Sequence, residues 1–378
     1  MANLLRRLTL IALVCALTYF SSEPKWITER SFGRLDDGRD VRIFTLKNTQ
    51  GTELEIMDLG ATIVSLKTAD ANGNLADITT GFDNPRQYQA GAGYMGALVG
   101  RYANRIANGS FSLDGQEYSL AVNNGDNAIH GGIVGFDKKI WETSYDSNQS
   151  ESTLSLTLIS PDGEEGYPGT VSARVTYILN DQNQLVIDYS ATTDAATVIN
   201  LTQHAYFNLN GQGAGSILDH EIMINADQYT PVDSKSIPTG EIASVTGTPL
   251  DFRSAKLIGR DIDDDHEQMQ FGSGFDHNFI INNSGADEIA MAASVFSPTT
   301  GRTLTVYTDQ PGMQFYTGNF LNGSLVGKQG AVYQRRNAFC LETQHYPDSP
   351  NKPNFPSTVL RPGEEYKTRT VFEFGVRN

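Results

Sequence analysis

Two of the six histidines lie in segments suited to binding a polar ligand. His204 lies within segment 200–208, which interleaves neutral hydrogen-bonding side chains with aromatic rings. A pyranose presents hydroxyl groups at its edge and C–H groups on its faces, so amides beside aromatic rings suit a sugar. His130 precedes two glycines, which let a ligand or a backbone approach closely. The sequence leaves open whether His204 is a hydrogen-bonded core residue of a strand and whether His130 is bonded only to its own loop.

Two candidate carboxylates stand in apolar settings. Alternation along residues 338–344 places Glu342 on the strand face opposite Phe339 and Leu341. A carboxylate in an apolar strand is seldom buried without a partner. Glu342 is therefore either a paired structural charge or a base whose pKa is tuned by its surroundings. Asp276 occupies a similar position.

The remaining polar residues give weaker signals. Arg105 can bind a cluster of hydroxyl groups or pair with a carboxylate. No two histidines are spaced i, i+2 or i, i+4, and the two cysteines, Cys15 and Cys340, form no CxxC pattern. We therefore predict no metal site and no disulfide.

Short strands are the elements that would position these residues. Apolar and polar residues alternate over most of residues 154–189, which is typical of half-buried antiparallel strands joined by hairpins. Asp114 and Gly115 predict a tight hairpin, because both tolerate positive φ. No long stretch has an apolar helical repeat, and no glycine-rich phosphate loop follows a strand. The sequence predicts one large all-β sandwich or barrel, with loops 208–218 and 259–273 rimming the functional end.

Composition limits the partners of the chain. Its 378 residues include 44 acidic and 28 basic side chains, a formal charge of −16. Such an excess of acid repels phosphate backbones and anionic lipid surfaces. We therefore expect no nucleic acid partner, and a neutral or cationic small molecule fits better.

Residues 1–22 have the pattern of a targeting segment. Arg6 and Arg7 precede an apolar run over residues 8–20, which is short of the roughly 20 residues of a transmembrane helix. The segment is either a cleaved signal peptide or an uncleaved N-terminal anchor, and the globular domain then covers residues 23–378. Its removal takes two of the 28 basic residues and leaves 26 against 44 acidic ones, a charge of −18. We predict export, to the bacterial periplasm, with membrane contact only through an uncleaved leader.

Taken together, the motifs of this chain resemble the aldose 1-epimerase (galactose mutarotase) family from about residue 32 to about residue 374. The segments that carry the resemblance are 60–66, 100–111, 127–132, 160–169, 200–209, 274–279, 311–319 and 341–344. Their order along nearly the whole chain makes the resemblance specific. One departure is Ala205, which stands where many relatives have Ser and removes a hydroxyl but no charge.

The resemblance implies an all-β fold, a single large antiparallel β-supersandwich of the galactose mutarotase type. It implies an isomerase, an aldose 1-epimerase, that interconverts the α and β anomers of a free aldohexose such as glucose or galactose without a cofactor. His204 would be the acid and Glu342 the base. The implied sugar contacts are Asn104, Arg105, His130, Tyr206, Asp276 and Gln314.

Two other functions remain open. A hexose-6-phosphate 1-epimerase would need a cationic cradle for the phosphate, and the cleft motifs offer only Arg101 and Arg105. A non-catalytic carbohydrate-binding protein would lack the acid or the base, whereas both are present.

Overall fold

Strands dominate over helices in this chain, as the two-residue alternation predicts. The structure is a computed structural model that describes residues 26–91, 93–148, 150–282 and 288–377. The strands are β1 Ile27–Arg34, β2 Asp40–Lys47, β3 Glu53–Met57, β4 Thr62–Ala69, β5 Leu75–Asp77, β6 Leu98–Val99, β7 Arg105–Ile106, β8 Ser110–Leu113, β9 Gln116–Ser119, β10 Ala128–Ile129, β11 Glu142–Ser147, β12 Glu151–Ser160, β13 Val171–Asn180, β14 Gln184–Thr193, β15 Thr197–Val198, β16 Thr202–Gln203, β17 Glu221–Ile224, β18 Gln228–Tyr229, β19 Ala243–Ser244, β20 Lys256–Leu257, β21 Asp276–Ile280, β22 Ala290–Phe296, β23 Arg302–Thr308, β24 Gly312–Tyr316, β25 Leu325–Val326, β26 Val332–Tyr333, β27 Cys340–Gln344, β28 Val359–Leu360 and β29 Tyr366–Val376.

Helices in the described ranges are short. The α-helices are α1 Pro85–Gln89 and α2 Glu267–Gly272, and the 3₁₀ turns are Ala107–Gly109, Phe136–Lys138, Glu164–Gly166, Ile258–Arg260, Lys328–Gly330 and Ser349–Asn351. None of the helices in these ranges is long and apolar enough to cross a membrane. The predicted leader, residues 1–22, lies outside the described residues.

The largest sheet has nine strands in the order β11-β12-β13-β14-β29-β23-β22-β17-β20. Its neighbouring strands pair antiparallel. Along β13 the residues alternate between buried and less buried, from Val171 to Leu179, so one face packs on the core and the other faces solvent. The predicted strands between residues 154 and 189 are therefore confirmed.

Two five-stranded sheets complete the framework, β1-β2-β3-β4-β5 and β19-β18-β21-β24-β27. One apolar cluster joins both of them to the nine-stranded sheet, with Phe44 from β2, Phe315 from β24, and Leu156 and Phe372 from the largest sheet. This shared core confirms the predicted all-β sandwich architecture.

The turn at Asp114 and Gly115 shows how local chemistry sets the chain direction. These residues connect β8 and β9 with φ values of 52° and 80°. Two successive positive φ angles define a type I′ turn, whose twist matches that of the strands it joins. The predicted hairpin is confirmed.

Candidate active site

A cavity of about 420 Å³ opens beside β21, β24 and β27. Its volume lies in the range of small-molecule sites. Its lining includes all eight residues that the resemblance implies: Asn104, Arg105, His130, His204, Tyr206, Asp276, Gln314 and Glu342. Residues that are far apart in the sequence thus meet at one place.

The sheet positions Glu342 on the cavity side of β27. Phe339 and Leu341 are buried in the main apolar cluster, as the alternation predicts. Gln314 on β24 lies directly opposite Glu342, and Asp276 is on the same face of neighbouring β21. The core therefore holds the strand, while its other face presents polar groups to the cavity.

His204 lies one residue beyond the short strand β16, rather than within it. Its backbone is fixed by two hydrogen bonds of 2.9 Å, from its own N–H to Ala97 O and from Gly96 N–H to its carbonyl oxygen. The ring of Tyr206 stacks on its imidazole with centroids 5.0 Å apart. Its Nε2 stands 3.6 Å from Glu342 Oε2, beyond hydrogen-bonding distance.

His130 and Asn104 hold each other in place. The N–H of His130 donates to the Asn104 carbonyl oxygen at 3.1 Å, and the N–H of Asn104 donates to His130 Nδ1, also at 3.1 Å. Because Nδ1 accepts this hydrogen bond, it carries no proton, and the single ring proton of neutral His130 is on Nε2. Both residues have positive φ, 51° and 64°, a conformation uncommon outside glycine and concentrated at functional sites. His130 is thus bonded to a neighbouring loop and also lines the cavity.

Arg105 and Asp276 form the charged side of the cavity. Arg105 Nη2 is 3.8 Å from Asp276 Oδ2, and its Nε donates to Asn124 Oδ1 at 3.1 Å. Gln314 Nε2 donates to Asp276 Oδ1 at 2.7 Å. Gln314 Oε1 and Glu342 Oε2 are buried without a hydrogen-bond partner. Buried oxygens of this kind are rare, so both have spare capacity for a ligand hydroxyl.

Burial shifts the protonation of the central pair. It raises the pKa of Glu342 well above its ordinary value, with the Asp276 charge adding to the effect and Arg105 opposing it. Burial also lowers the pKa of His204 to about 4. Both residues are therefore driven toward their neutral forms, and a carboxylic acid beside a neutral imidazole holds one proton that either can carry.

The same residues bear on the predicted absence of a metal. One ligand atom from each of His130, His204 and Glu342 lies within 4.8 Å of the other two, a cluster that sequence spacing could not indicate. A metal needs an unprotonated nitrogen. Nδ1 of His130 is occupied by the hydrogen bond from Asn104 N–H, so the ring proton of neutral His130 is on Nε2, the nitrogen that would have to bind the metal. This donor set fits hydrogen bonding better than metal ligation, and the absence of a metal stays a prediction.

Several lining residues were missed by sequence reasoning. Tyr94 contacts the rings of both histidines, with centroids 4.6 Å from His130 and 6.2 Å from His204. It has φ 56° in a glycine-rich segment, and that segment was the available signal. Other missed lining residues are Asn124, Tyr316 and Phe320.

The two long loops do not line the cavity, contrary to the prediction that they rim the functional end. No residue of loops 208–218 and 259–273 is among those that line the cavity. Asn208 is instead fully buried and donates to the carbonyl oxygens of Gly215 and Asn337. Asp263 pairs with Arg336 at 2.7 Å. The polar groups of these loops therefore stabilise the sandwich through hydrogen bonds and an ion pair.

The fold is an all-β sandwich, and its cavity holds a buried histidine and a buried glutamate beside polar and aromatic side chains, an arrangement suited to binding a small molecule. The sequence model of the aldose 1-epimerase family matches residues 42–373. The galactose mutarotase of Bos taurus is 48% identical over 351 residues, covering 93% of this chain and 99% of that protein. The aldose 1-epimerase of Escherichia coli (strain K12) is 40% identical over 342 residues, 89% of this chain and 96% of that protein.

A solved structure agrees with these sequence relatives. The GalM/aldose epimerase homologue from C. elegans superposes with a TM-score of 0.81 at 32% identity, covering 89% of this chain and 99% of that chain. This chain belongs to the aldose 1-epimerase family. The predicted family, fold and isomerase class are confirmed.

Proposed function

We propose that this chain interconverts the α and β anomers of free aldohexoses, such as glucose and galactose, by opening and reclosing the pyranose ring. One observation carries the proposal: His204 Nε2 and Glu342 Oε2 face each other at 3.6 Å in a cavity lined by polar and aromatic side chains. An acid and a base this close can reach the two oxygens bonded to one anomeric carbon. The names of the Bos taurus and Escherichia coli relatives support the same activity.

Ring opening needs two proton transfers. The Glu342 carboxylate takes the proton of the O1 hydroxyl while the His204 imidazolium gives its Nε2 proton to the ring oxygen O5. The C1–O5 bond breaks and C1=O1 forms, which leaves an open aldehyde, a neutral His204 and a protonated Glu342. Rotation about C1–C2 turns the other face of C1 toward O5, and the reverse transfers close the ring as the other anomer. A positioned proton transfer typically contributes about 10²- to 10⁴-fold.

The shared proton explains how one pair serves both directions. The ionised pair, with carboxylate and imidazolium, is needed when the closed sugar is bound. The neutral pair, which burial favours, is the form reached when the sugar is open. Both forms contain the same number of protons. Transfer of one proton from Glu342 to His204 therefore produces the carboxylate base and the imidazolium acid in a single step.

Other lining residues would hold the sugar. His130 Nε2–H and the Arg105 guanidinium are donors, whereas the Asp276 carboxylate and Gln314 Oε1 are acceptors. The ring of Tyr206 offers an apolar surface. Donors and acceptors are thus both available to a ligand whose hydroxyls do both.

A phosphorylated sugar fits this cavity less well. Among the described residues that line the cavity, Arg105 is the one with a permanent positive charge, and Asp276 beside it counters that charge. Arg101, the other cation of the cleft motifs, does not line the cavity. A purely binding role is also disfavoured, because the acid and the base face each other.

Polarimetry tests the proposal directly. Freshly dissolved α-glucose, α-galactose and an aldopentose should approach equilibrium rotation faster with the protein than without it. A Glu342→Gln/His204→Asn double variant, purified in the same way, should give only the spontaneous rate. No acceleration by the wild-type protein with any of the sugars would refute the proposal.

We further propose that the chain is exported to the bacterial periplasm, where incoming sugars would be interconverted before uptake, with residues 23–378 as the mature domain. Support comes from Arg6, Arg7 and the apolar run over residues 8–20. Cell fractionation and sequencing of the mature N-terminus test this. A soluble cytosolic product that still starts at Met1 would contradict it.

A further inference from the structure

The unused nitrogen of His204 contacts a thiol. Cys340 is fully buried, and its Sγ lies 3.5 Å from His204 Nδ1. Cys340 and Glu342 are two residues apart on β27, so both point to the same face of the sheet. One strand therefore presents the base to one side of the imidazole and a sulfur to the other nitrogen.

The proposed reaction restricts where the His204 protons can be. Nε2 gives a proton to O5 on ring opening and must take it back on ring closure. Between these steps the imidazole is neutral, so its remaining proton must be on Nδ1. A buried Nδ1–H needs an acceptor, since a buried donor left unpaired loses the hydrogen bonds that it makes to water in the unfolded chain.

We propose that Cys340 is a positioning residue whose Sγ accepts the Nδ1–H of His204 and thereby reserves Nε2 for the proton exchanged with the sugar. This inference rests on the proposed function. The other nitrogen, Nε2, lies 3.6 Å from Glu342 Oε2 in the lining of the cavity, so it is the nitrogen placed to exchange a proton with the sugar.

A thiol suits this position better than a carboxylate. Sulfur is a weak acceptor, so it orients Nδ1–H while adding little stability to the imidazolium. A carboxylate at this position would stabilise the charged ring, as in hydrolases where histidine acts first as a base. Burial also raises the pKa of the Cys340 thiol well above its ordinary value, so sulfur stays uncharged beside His204.

Nitrogen NMR tests the proton position. In protein labelled with ¹⁵N-histidine, the His204 signals are assigned by their loss in His204→Asn. We expect neutral His204 in the wild-type protein to be protonated on Nδ1 and unprotonated on Nε2. The opposite tautomer, in which the thiol donates to Nδ1, would overturn the inference.

Three substitutions separate the hydrogen bond from packing. Cys340→Ala and Cys340→Val remove the acceptor, and because valine is somewhat larger than cysteine the second of these leaves no cavity. Both should lower kcat by about tenfold with KM nearly unchanged, and the proton should redistribute toward Nε2. Cys340→Ser supplies an oxygen acceptor and should restore most of kcat and the Nδ1–H signal.

Thermal melts show whether each variant is folded. If folded Cys340→Val keeps both wild-type kcat and the Nδ1–H tautomer, the role assigned to Cys340 is wrong. Failure of the proposed function is seen separately, as a wild-type protein that does not accelerate mutarotation. The NMR measurement reads the tautomer in either case.

Discussion

Two arginines four residues apart in one motif are used in opposite ways. Arg101 is 2% exposed, and its guanidinium donates to Ser160 and to the carbonyl oxygens of Pro161, Pro168 and Gly169. Arg105 is also buried, at 8% exposed.

The hydrogen bonds of Arg105 are fewer. Its guanidinium donates to Asn124 and approaches Asp276 only to 3.8 Å. The comparison teaches that burial alone does not distinguish a structural residue from a ligand-binding one. What distinguishes them is whether the polar atoms are already satisfied, as at Arg101, or retain capacity for a ligand, as at Arg105 and Glu342.

Glu342→Gln challenges this distinction most strongly. Glutamine keeps the size and one acceptor oxygen but cannot take a proton, so turnover should fall about 10²- to 10⁴-fold with little change in sugar affinity. Because Oε2 has no partner in the structure, the melting temperature should not fall. Polarimetry and a thermal melt on the same preparation measure both.

The competing expectation for Glu342 is a structural ion pair. Loss of its charge would then leave a buried partner uncompensated, at about 3–5 kcal/mol. A destabilised Glu342→Gln variant would mean that Glu342, like Arg101, is a structural residue whose polar atoms are paired in the folded protein. A stable and fully active one would move the base elsewhere, with Asp276 as the next candidate.

His204→Asn is expected to have the next largest effect. Asparagine cannot supply a proton to O5, so turnover should fall by about 10²-fold or more. Dialysis of the wild-type enzyme against EDTA should leave its activity unchanged, because the chemistry proposed here needs no metal. Near-normal turnover of the variant, or inactivation by the chelator, would remove His204 from its acid role.

Substitution of the two arginines tests the comparison itself. Arg101→Met removes the guanidinium donor of the Pro168 and Gly169 carbonyl oxygens, which belong to buried residues, at about 1–3 kcal/mol for each unsatisfied group. The free energy of unfolding, measured with urea, should therefore fall by roughly 3 kcal/mol. Arg105→Met should instead lower kcat/KM by about 10- to 100-fold, equal to about 1.5–3 kcal/mol of charged hydrogen bonding, with a much smaller loss of stability. An equal loss of stability in both variants would remove the distinction.

The sequence predicted features that depend on local chemistry. The strands between residues 154 and 189 follow from alternation, and the turn at Asp114 and Gly115 follows from tolerance of positive φ. Alternation also placed Glu342 opposite Leu341. Its function and that of His204 came from the resemblance to a family, since neither period nor spacing distinguishes a base from a paired charge.

Other features depend on contacts between distant segments. The direction of Arg101 is set by carbonyl oxygens some 60 residues away, and nothing in its own motif separates it from Arg105. The position of Tyr94 over two histidines depends on a left-handed backbone that its side chain does not favour. The length of loops 208–218 and 259–273 predicts that they lie at the functional end, whereas their polar groups hydrogen-bond and ion-pair to neighbouring parts of the sandwich.

The smallest expected effect is a pH dependence of stability. Burial and Asp276 raise the pKa of Glu342 above its ordinary value of 4.5, so above pH 4.5 the folded protein keeps a proton that the unfolded chain releases. The stability tied to this proton is fully present below pH 4.5 and is lost as pH rises toward the folded-state pKa, at up to about 1.4 kcal/mol per pH unit.

Glu342→Gln has no such proton, so its melting temperature relative to wild type should rise steadily above pH 4.5 and then level off. His204 acts in the opposite sense between its ordinary pKa of 6.5 and about 4, because the unfolded chain binds a proton there that the folded protein does not. It is present in both proteins, and repeating the comparison in a His204→Asn background removes it. A difference in melting temperature that does not change above pH 4.5 would mean that Glu342 is ionised and paired in the folded protein, which would place it with Arg101 and not with Arg105.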